Sequence, residues 1–578
     1  MATEPSSFLP YEEPNIITIF TQSAFLLILN VINAIFDKLI FCGLLGQVFV
    51  GVAFGTPGAK WLSRDVEGVV VQLGYLGLVL LVYEGGLETK FHALKANLFL
   101  SVAVAVTGIS IPIALSFTLQ SLVGATPLQA FAAGAALCST SLGTTFTILS
   151  SSGLAATRLG TVLSSAAMMD DVVGLVMVQV ISNLGGSFSA VTVVRPLAVS
   201  VGLAVAVPLV CGFVVKPVTV LFNGVRKSRP RGVVDRCCGG VYTPFVVHTL
   251  LLVGFVTGAT YAGTSNLFAV YLAGASVSWW DSEVPHFEAV AEGGTPESSS
   301  LPNEQRNSSS DKSPENKDAA GSLLETGATE SNKVQNEPTA TSGTAVYHKY
   351  YAAAVQRILK PFFFASIGFA IPITDMFSGP IVWRGIIYTI LMLFAKLVTG
   401  LWLIRLHTSW PKIRLPKVLR SLVTAPATCF GWMYGKPVKP STNAHELQNR
   451  NNNAVTPQPT TRESPTATAT MPTPTPPKIN KPLSLYPAAM LGTAMIARGE
   501  IGFLIASLAE TTGLFASSTT PSNSSSEIYL VVTWAIVLCT IIGPLGVGTL
   551  VKRVRKLEGK EDGKSEGESG PLGIWGVD

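Results

Sequence analysis

The chain has 578 residues, of which 48% are hydrophobic and only 13% are charged, and its mean hydropathy is +0.45. A soluble globular protein carries roughly a quarter charged residues, so this composition excludes that class and indicates an integral membrane protein. The formal net charge of +5 does not distinguish between partners.

Apolar segments long enough to cross about 30 Å of hydrocarbon recur along the chain. They predict an all-α polytopic membrane protein with about 13 transmembrane helices, although twelve or fourteen spans also fit the pattern. The predicted segments lie near 15–36, 39–55, 69–87, 97–123, 128–152, 159–184, 195–222, 242–262, 265–280, 359–374, 384–406, 483–511 and 527–551. The first is predicted to be a retained span, because no basic region or cleavage site marks it as a signal peptide.

Two polar, low-complexity stretches interrupt the apolar pattern and have the composition of disordered insertions. The predicted order is an N-terminal tail 1–14, membrane segments 15–280, an insertion 281–350, membrane segments 351–406, an insertion 407–482, membrane segments 483–551 and a charged, Gly-rich tail 552–578. Most Lys and Arg residues lie in connections that follow odd-numbered spans. Positive charge favours the cytoplasmic side, so both insertions and the final tail are predicted to be cytoplasmic.

A few ionisable residues fall in the middle of apolar spans. Asp170 and Asp171 stand in SSAAMMDDVVGLVMV, Lys396 in YTILMLFAKLVTGLW, and Arg498 and Glu500 in MLGTAMIARGEIGFLIAS. Charged side chains are costly in hydrocarbon, so intramembrane ionisable residues are candidates for a functional site.

The adjacent aspartates predict two different roles, because neighbouring residues on a helix point about 100° apart. Burial disfavours a charged carboxylate, whereas a nearby ammonium favours it. One aspartate, paired with Lys396, would stay ionised, and the other could bind either a proton or a bare cation. A carboxylate that binds either ion, but never both, is the minimum chemistry of an antiporter. The alternative is a buried ion-pair network that only holds helices together.

Two spans are interrupted at their centres. Residues 139–145, STSLGTT, combine weak helix formers with hydroxyl and carbonyl oxygens suited to a hard cation, and Gly499 divides the twelfth span between Arg498 and Glu500. These two spans are an odd number apart and therefore cross the membrane in opposite directions. Interrupted helices in inverted repeats mark the substrate site of many secondary transporters. Small residues that merely permit close helix packing are the alternative explanation.

The motifs GLLGQVFVGVAFG, LGYLGLVLLVYEGGLET, STSLGTTFTIL, AAMMDDVVGLV, FFFASIGFAI, FAKLVTG and ARGEIGF follow one another in this order. In this respect the chain resembles the cation:proton antiporter superfamily, most closely its two-aspartate sodium/hydrogen exchanger branch. The resemblance covers essentially all the membrane segments. It implies a homodimer in which a dimerisation domain supports a six-helix core domain that moves like an elevator.

The same resemblance assigns roles to individual residues. Asp171 matches the main ion-binding aspartate, and Asp170 matches the one that pairs with the lysine at Lys396. Thr140 and Ser141 match the broken crossing helix and complete the expected ion-binding set. Arg498 and Glu500 match a charged pair at the other crossing, which is mainly structural in the family.

The expected function is therefore secondary active antiport of a monovalent cation, Na+ before K+ or Li+, against H+. Exchange of K+ for H+ is the second candidate, and an ion channel is a more distant one, because a channel usually places its acids in a symmetric ring. The sequence contains no HExxH, Walker or Rossmann pattern, so we expect no enzyme activity, cofactor, metal centre or nucleic-acid partner. The lipid bilayer is an expected partner, in either the plasma membrane or an endomembrane.

Overall fold

The computed structural model describes residues 11, 13–40, 42–89, 91, 94, 97–141, 153–154, 157–185, 190–228, 242–284, 342–404, 485–516, 525–561, 572 and 575–576. Their regular secondary structure is entirely helical. The described residues belong to one compact unit formed by Met1–Ile404 and Pro482–Asp578. The predicted insertion 407–482 lies outside the described residues.

The α-helices, in chain order, are α1 (Ile16–Ile40), α2 (Gly43–Phe54), α3 (Arg64–Leu87), α4 (Leu98–Ser116), α5 (Leu119–Val123), α6 (Pro127–Ala136), α7 (Arg158–Leu184), α8 (Ala190–Val210), α9 (Lys216–Ser228), α10 (Thr243–Ala262), α11 (Asn266–Glu283), α12 (Gly343–Tyr350), α13 (Ala352–Ala354), α14 (Lys360–Phe369), α15 (Ile373–Met376), α16 (Gly379–Leu397), α17 (Tyr486–Ala494), α18 (Glu500–Thr511) and α19 (Glu527–Glu561). Single π-helical turns, Cys211–Val215 and Val355–Leu359, precede α9 and α14, and a 3₁₀ turn, Val398–Leu403, continues α16. Each of the thirteen predicted segments contains helix, so the predicted all-α class is confirmed.

Eight helical stretches are long and apolar enough to cross a membrane, within the part of the chain that the structure describes. They are Ile16–Leu39, Arg64–Leu87, Leu98–Val123, Arg158–Leu184, Val193–Arg226, Thr243–Ala262, Gly379–Leu403 and Glu527–Leu557. The other five predicted segments contain shorter helices, and in 483–511 a break at mid-span divides the apolar run into α17 and α18.

The predicted boundaries of the first insertion, 281–350, need correction at both ends. Helix α11 continues to Glu283, and α12 already begins at Gly343. The Gly343 amide donates a hydrogen bond to Asp281 Oδ2 at 2.6 Å, which joins the two helix ends. Polar composition concealed α12, since its sequence GTAVYHKY contains few strongly apolar residues. Residues 285–341 lie outside the described part of the chain.

The helices form two groups. In the first bundle, α1, α2, α3, α10, α11 and α14 pack against one another. In the second, which we call the crossing bundle, α4, α6, α7, α16, α17, α18 and α19 do so. Helix α7 contacts α8 and α11, and α14 contacts α18, so these helices connect the two bundles. The charged residues singled out in the sequence all lie in the crossing bundle.

Candidate functional site at the crossing of two interrupted helices

Both predicted helix interruptions are present. Helix α6, whose start is fixed by a capping box between Thr126 and Gln129, ends at Ala136. Residues 139–141 are not helical, whereas the rest of the predicted interruption, 142–145, lies outside the described residues. The second interruption separates α17 from α18 over residues 495–499. The two meet directly, because the Ser141 amide donates a hydrogen bond to the Ala497 carbonyl at 2.9 Å.

Unwound backbone inside a membrane needs polar partners, and side chains provide them here. Arg498 Nη1 donates to the Ser139 carbonyl at 2.6 Å, so a residue of the second interruption binds the backbone of the first. Thr540 on α19 donates to the Arg498 carbonyl at 3.1 Å. Gly499 permits the close approach, since a Cβ atom there would lie only 2.7 Å from Ser141 Cβ.

Asp170 and Lys396 form the ion pair that the sequence predicts. Lys396 Nζ lies 2.8 Å from Asp170 Oδ2, and both side chains are 0% exposed. Asp170 lies close to the middle of α7, and Lys396 is the penultimate residue of α16. The two residues are 226 positions apart in the sequence, so this contact joins distant parts of the crossing bundle.

The lysine ammonium has three acceptors, which matches its three donors. Besides Asp170, it donates to the Cys138 carbonyl at 2.7 Å and to Thr140 Oγ1 at 3.0 Å. The Thr140 hydroxyl in turn donates to Asp170 Oδ2 at 2.9 Å. Helix α4 approaches this network at Gly108, where a Cβ atom would lie 3.2 Å from Lys396 Nζ. The Asp170 side of α7 is therefore a network closed around Asp170 Oδ2, whereas Asp170 Oδ1 is buried without a hydrogen-bond partner in the described part of the chain.

Asp171 has a different environment. It is only partly buried, and its Oδ1 accepts one hydrogen bond, from Ser139 Oγ at 2.9 Å. Among the residues that the structure describes, no Lys, Arg or His lies within ion-pair distance of Asp171. The charged group on another helix with the largest electrostatic influence on Asp171 is Glu500 on α18, which is also an acid. Asp171 is thus a carboxylate with oxygen neighbours and no cationic partner in the described part of the chain.

Arg498 and Glu500, which the resemblance gives as a structural charged pair at the crossing, do not bond to each other. No ion pair within 4 Å joins these two described residues; instead Arg498 binds the Ser139 carbonyl, while Glu500 starts α18. The physical reason is the break itself, because the unwound backbone at Gly499 turns the two side chains toward different neighbours. Their predicted place at the second crossing is nevertheless where both lie.

Of the residues predicted to bind the ion, Asp170 and Thr140 bond to each other and to Lys396, the predicted charge partner, while Ser141 contributes its amide to the crossing. Sequence reasoning did not single out Ser139, whose hydroxyl binds Asp171 and whose carbonyl binds Arg498. Its place at the start of the STSLGTT run was the available signal.

The chemistry of this place suits a small hard cation or a proton. Asp171 and Ser139 supply a carboxylate and a hydroxyl oxygen, and oxygen donors are the ligands that such cations prefer. A proton and a metal cation would use the same Asp171 oxygens. The arrangement has the donors for either ion.

Comparison with known proteins agrees with this chemistry. Residues 23–291 match the family described as "Sodium/hydrogen exchanger, transmembrane". The chain is 31% identical over 133 residues to the Na(+)/H(+)-K(+) antiporter GerN of Bacillus cereus, a match covering 23% of this chain and 34% of GerN. It is 33% identical over 143 residues to the probable Na(+)/H(+) antiporter GerT of Bacillus cereus, covering 25% of this chain and 38% of GerT.

A third relative is the high-affinity Na(+)/H(+) antiporter NhaS3 of Synechocystis sp., 29% identical over 140 residues, which cover 24% of this chain and 30% of NhaS3. The matched region thus spans about a third of each relative's length. Among solved structures, the sodium proton antiporter MjNhaP1 of Methanocaldococcus jannaschii aligns with a TM-score of 0.45 and 13% identity, covering 96% of this chain and 99% of that one.

The family match begins in α1 and includes both α7 aspartates, and six of the eight stretches that are long and apolar enough to span a bilayer fall at least partly within it. The chain is therefore an integral, multi-pass membrane protein whose residues 23–291 are similar to the transmembrane region of sodium/hydrogen exchangers.

Proposed function

We propose that this chain is a secondary active antiporter that exchanges a monovalent cation, Na+ in the first place, for protons by alternating access. The observation that carries the proposal is the contrast on α7: Asp170 is bound by Lys396, whereas the adjacent Asp171 has a hydroxyl partner and no cationic one in the described part of the chain. A buried carboxylate without a counter-charge is costly, and either a proton or a cation removes that cost.

In this mechanism Asp171 is the shared ion-binding group. A cation binds the ionised Asp171 together with the Ser139 hydroxyl, and it leaves when Asp171 takes a proton. Asp170, Thr140 and Lys396 hold the crossing and fix the local charge. The carrier then presents either the cation or the proton to each side in turn, which couples the two fluxes.

The crossing bundle would be the part that moves. Its interrupted helices are tied to one another by the bond between Ser141 and Ala497 and by that between Arg498 and Ser139, so they would travel as one piece. We propose that the first bundle is the stationary, dimerising part. Its helix α1 exposes large apolar side chains such as Phe20 and Leu27, which lipid or a second copy of the chain would cover.

Exchange of K+ for H+ is the second candidate, since the name of the relative GerN includes K+ as well as Na+, and oxygen ligands alone do not separate the two ions. We propose a transporter and not an enzyme, because the charged site consists of an ion pair and a carboxylate. A channel is the least favoured class, since the saturated Lys396 network fills the crossing.

The test is purified protein in liposomes with an internal pH dye, given successive pulses of Na+, Li+ and K+. We expect proton movement opposite to the Na+ gradient, absent in Asp171→Asn and present in Asp375→Asn, a control at an exposed acid outside the crossing. Proton movement with K+ alone would identify the K+ exchanger. Cation flux without proton movement would contradict antiport and favour a channel.

A further inference from the structure

Two apolar residues of the sequence that follows α19, Leu572 and Trp575, are buried against the rest of the protein. Residues 562–570 consist only of glycine and polar or charged residues, whereas 571–577 read PLGIWGV. The composition of the tail predicts a charged, Gly-rich extension, yet Leu572 and Trp575 are only 2% and 3% exposed. Because both side chains pack into one hydrophobic cluster, Leu572 and Trp575 occupy a specific place on the protein.

That place is a separate apolar core inside the crossing bundle, which we call the lower core. Its buried members are Val104, Leu154, Leu159, Val162, Leu163, Ala166, Leu403, Met490, Leu491, Ala494, Met495, Val547, Val551, Val554, Leu572 and Trp575. They come from α4, from α7 and the residues before it, from the 3₁₀ turn after α16, from α17 and the residue after it, and from the last part of α19. Leu572 and Trp575 thus belong to a core shared by several elements of the crossing bundle.

The lower core extends from Leu572 and Trp575 to the buried ion pair. Leu159, Val162 and Ala166 belong to it, and each lies three or four residues from the next, so they form one face of α7 that leads to Asp170. At the other limit of the core, a Cβ atom on Gly108 would lie within 3.4 Å of three atoms: Met495 Cε, which belongs to the core, and Lys396 Nζ and Asp170 Oδ2 of the ion pair. Apolar side chains therefore fill the bundle from Trp575 up to the Asp170 and Lys396 pair.

A polar contact holds the tryptophan at the outer limit of this core. The guanidinium carbon of Arg158, the first residue of α7, lies 5.3 Å from the centre of the Trp575 ring, which is within the range of a cation–π interaction. The Trp575 amide also donates to the Leu572 carbonyl at 3.1 Å. Trp575 thus presents its ring face to a charged, exposed residue and its remaining surface to the lower core.

The packing of the lower core determines whether water can reach the ion pair. A tightly packed apolar core keeps water out, whereas the loss of a tryptophan side chain leaves a void that is open to solvent at the surface. Water that entered there would reach toward Asp170 and Lys396 and could carry protons to them. The ion pair is 0% exposed, so the lower core is the barrier on this side.

The geometry points to a sealing role: Leu572 and Trp575 form a plug that closes the lower core and keeps water and protons from the buried ion pair at the end where α7 begins. Trp575 acts through the core and through Arg158 and does not touch the ions. This inference rests on the proposed antiport, because a seal matters most to a carrier that must not leak protons.

The first test measures proton leak. Liposomes with an internal pH dye, in choline buffer with thiocyanate as permeant anion, receive an external acid step without Na+, Li+ or K+. Trp575→Ala should acidify several-fold faster than the unchanged protein, and Trp575→Phe should restore the low rate because it keeps an aromatic ring. Trp383→Ala is the matched control, since Trp383 lies at the start of α16 and is 64% exposed.

The second test detects water in the core directly and needs no transport activity. Val162→Cys in detergent is treated with a charged methanethiosulfonate, and the labelled residue is located by mass spectrometry, so the native cysteines stay in place. Labelling at 162 should be several-fold faster in combination with Trp575→Ala than without it. If Trp575→Ala does not fold, Trp575→Leu, which loses the ring face but stays apolar, carries both measurements.

Equal leak rates together with equal labelling rates would overturn the plug, as would a leak that Trp575→Phe does not reduce. The outcome is separable from that of the proposed function. If the unchanged protein shows no cation-driven proton movement, antiport fails, while the labelling comparison still decides whether Trp575 keeps water from the lower core.

Discussion

At the centre of α7, two adjacent aspartates have different surroundings. Asp170 and Asp171 are chemically identical neighbours, yet Asp170 is completely buried and shares one oxygen between a lysine and a threonine. Asp171 is partly buried and has one hydrogen bond, from Ser139. The side of Asp170 is a closed network, and the side of Asp171 is an open one.

The difference shows how one residue type acquires two roles through the helix period. A step of about 100° separates a carboxylate that stabilises the crossing from one that is left without a counter-charge. A closed network resists a change of partner because each group would leave another unsatisfied. The open side can exchange its ion without breaking the structure, and the comparison can therefore be tested residue by residue.

The largest expected effect is on transport. Asp171→Asn should reduce cation-driven proton flux to the level of empty liposomes, because it removes the carboxylate that both ions share, while the protein stays folded. Asp170→Asn should retain measurable flux per folded molecule. Flux is measured with the internal pH dye, and melting in detergent checks folding. Normal flux in Asp171→Asn would show that the open side of α7 does not carry the ion.

The next effect is on stability. Lys396→Gln leaves the buried Asp170 without its counter-charge, which should lower the free energy of unfolding by about 3–5 kcal/mol. The double variant Asp170→Asn, Lys396→Gln should lose less than the sum of the two single variants, since it removes both charges. Chemical unfolding in detergent measures each free energy. Strict additivity would mean that the pair seen here is not an interacting one.

Lys396→Gln also tests whether the proposed exchange is electrogenic. If Lys396 releases a proton when a cation reaches the aspartates, exchange that survives in Lys396→Gln should be electroneutral. Current on a supported membrane, measured beside flux in liposomes, distinguishes the cases. Current like that of the unchanged protein would make the lysine a structural counter-charge only and would place the whole Asp170 side outside the transport cycle.

A smaller effect is expected at the threonine of the closed network. Thr140→Val keeps the shape but removes a hydroxyl that bonds both Lys396 and Asp170, which should cost about 1–3 kcal/mol of unfolding free energy. Thr118→Val is the control, because Thr118 is exposed and its hydroxyl bonds only a local carbonyl. An equal loss in both variants would mean that the buried network adds nothing at Thr140.

The smallest effect should occur on the open side. Ser139→Ala removes the one hydrogen bond to Asp171, so we expect a KM for the cation that rises a few-fold with little change in stability. Cation titrations of the dye signal measure KM, and Ser121→Ala, at an exposed serine, is the control. A loss of stability larger than that of Thr140→Val would reverse the assignment of closed and open sides.

Much of this arrangement follows from sequence alone. Adjacent intramembrane aspartates, one mid-span lysine and two interrupted spans predict the pair between Asp170 and Lys396 and the crossing, because buried charges must find each other. The assignment of Asp171 as the ion carrier stays a prediction. The structural role of Arg498 and Glu500 at the second crossing also stays a prediction, and their different neighbours could not be foreseen, since proximity in sequence does not determine direction where the backbone is unwound.

Two other features could not be predicted. The hydrogen bond from Ser139 to Asp171 depends on the exact exit angle of the chain after α6, which a run of small polar residues does not specify. The burial of Trp575 was concealed by the charged composition of residues 552–570, which dominates any average over the tail. Both depend on how distant segments meet, whereas helix positions depend on local hydrophobicity.

The charge count at the crossing has a consequence for slippage. In the described part of the chain, the crossing holds three acids, Asp170, Asp171 and Glu500, and two basic residues, Lys396 and Arg498. If all five groups are ionised, the site without a bound ion has a net charge of about −1. Under the proposed alternating access, moving this excess negative charge through the bilayer would meet an electrostatic barrier, which one bound proton or one bound Na+ would remove. On that proposal the charge balance of the site itself suppresses movement of the empty carrier, and obligatory exchange needs no separate gate.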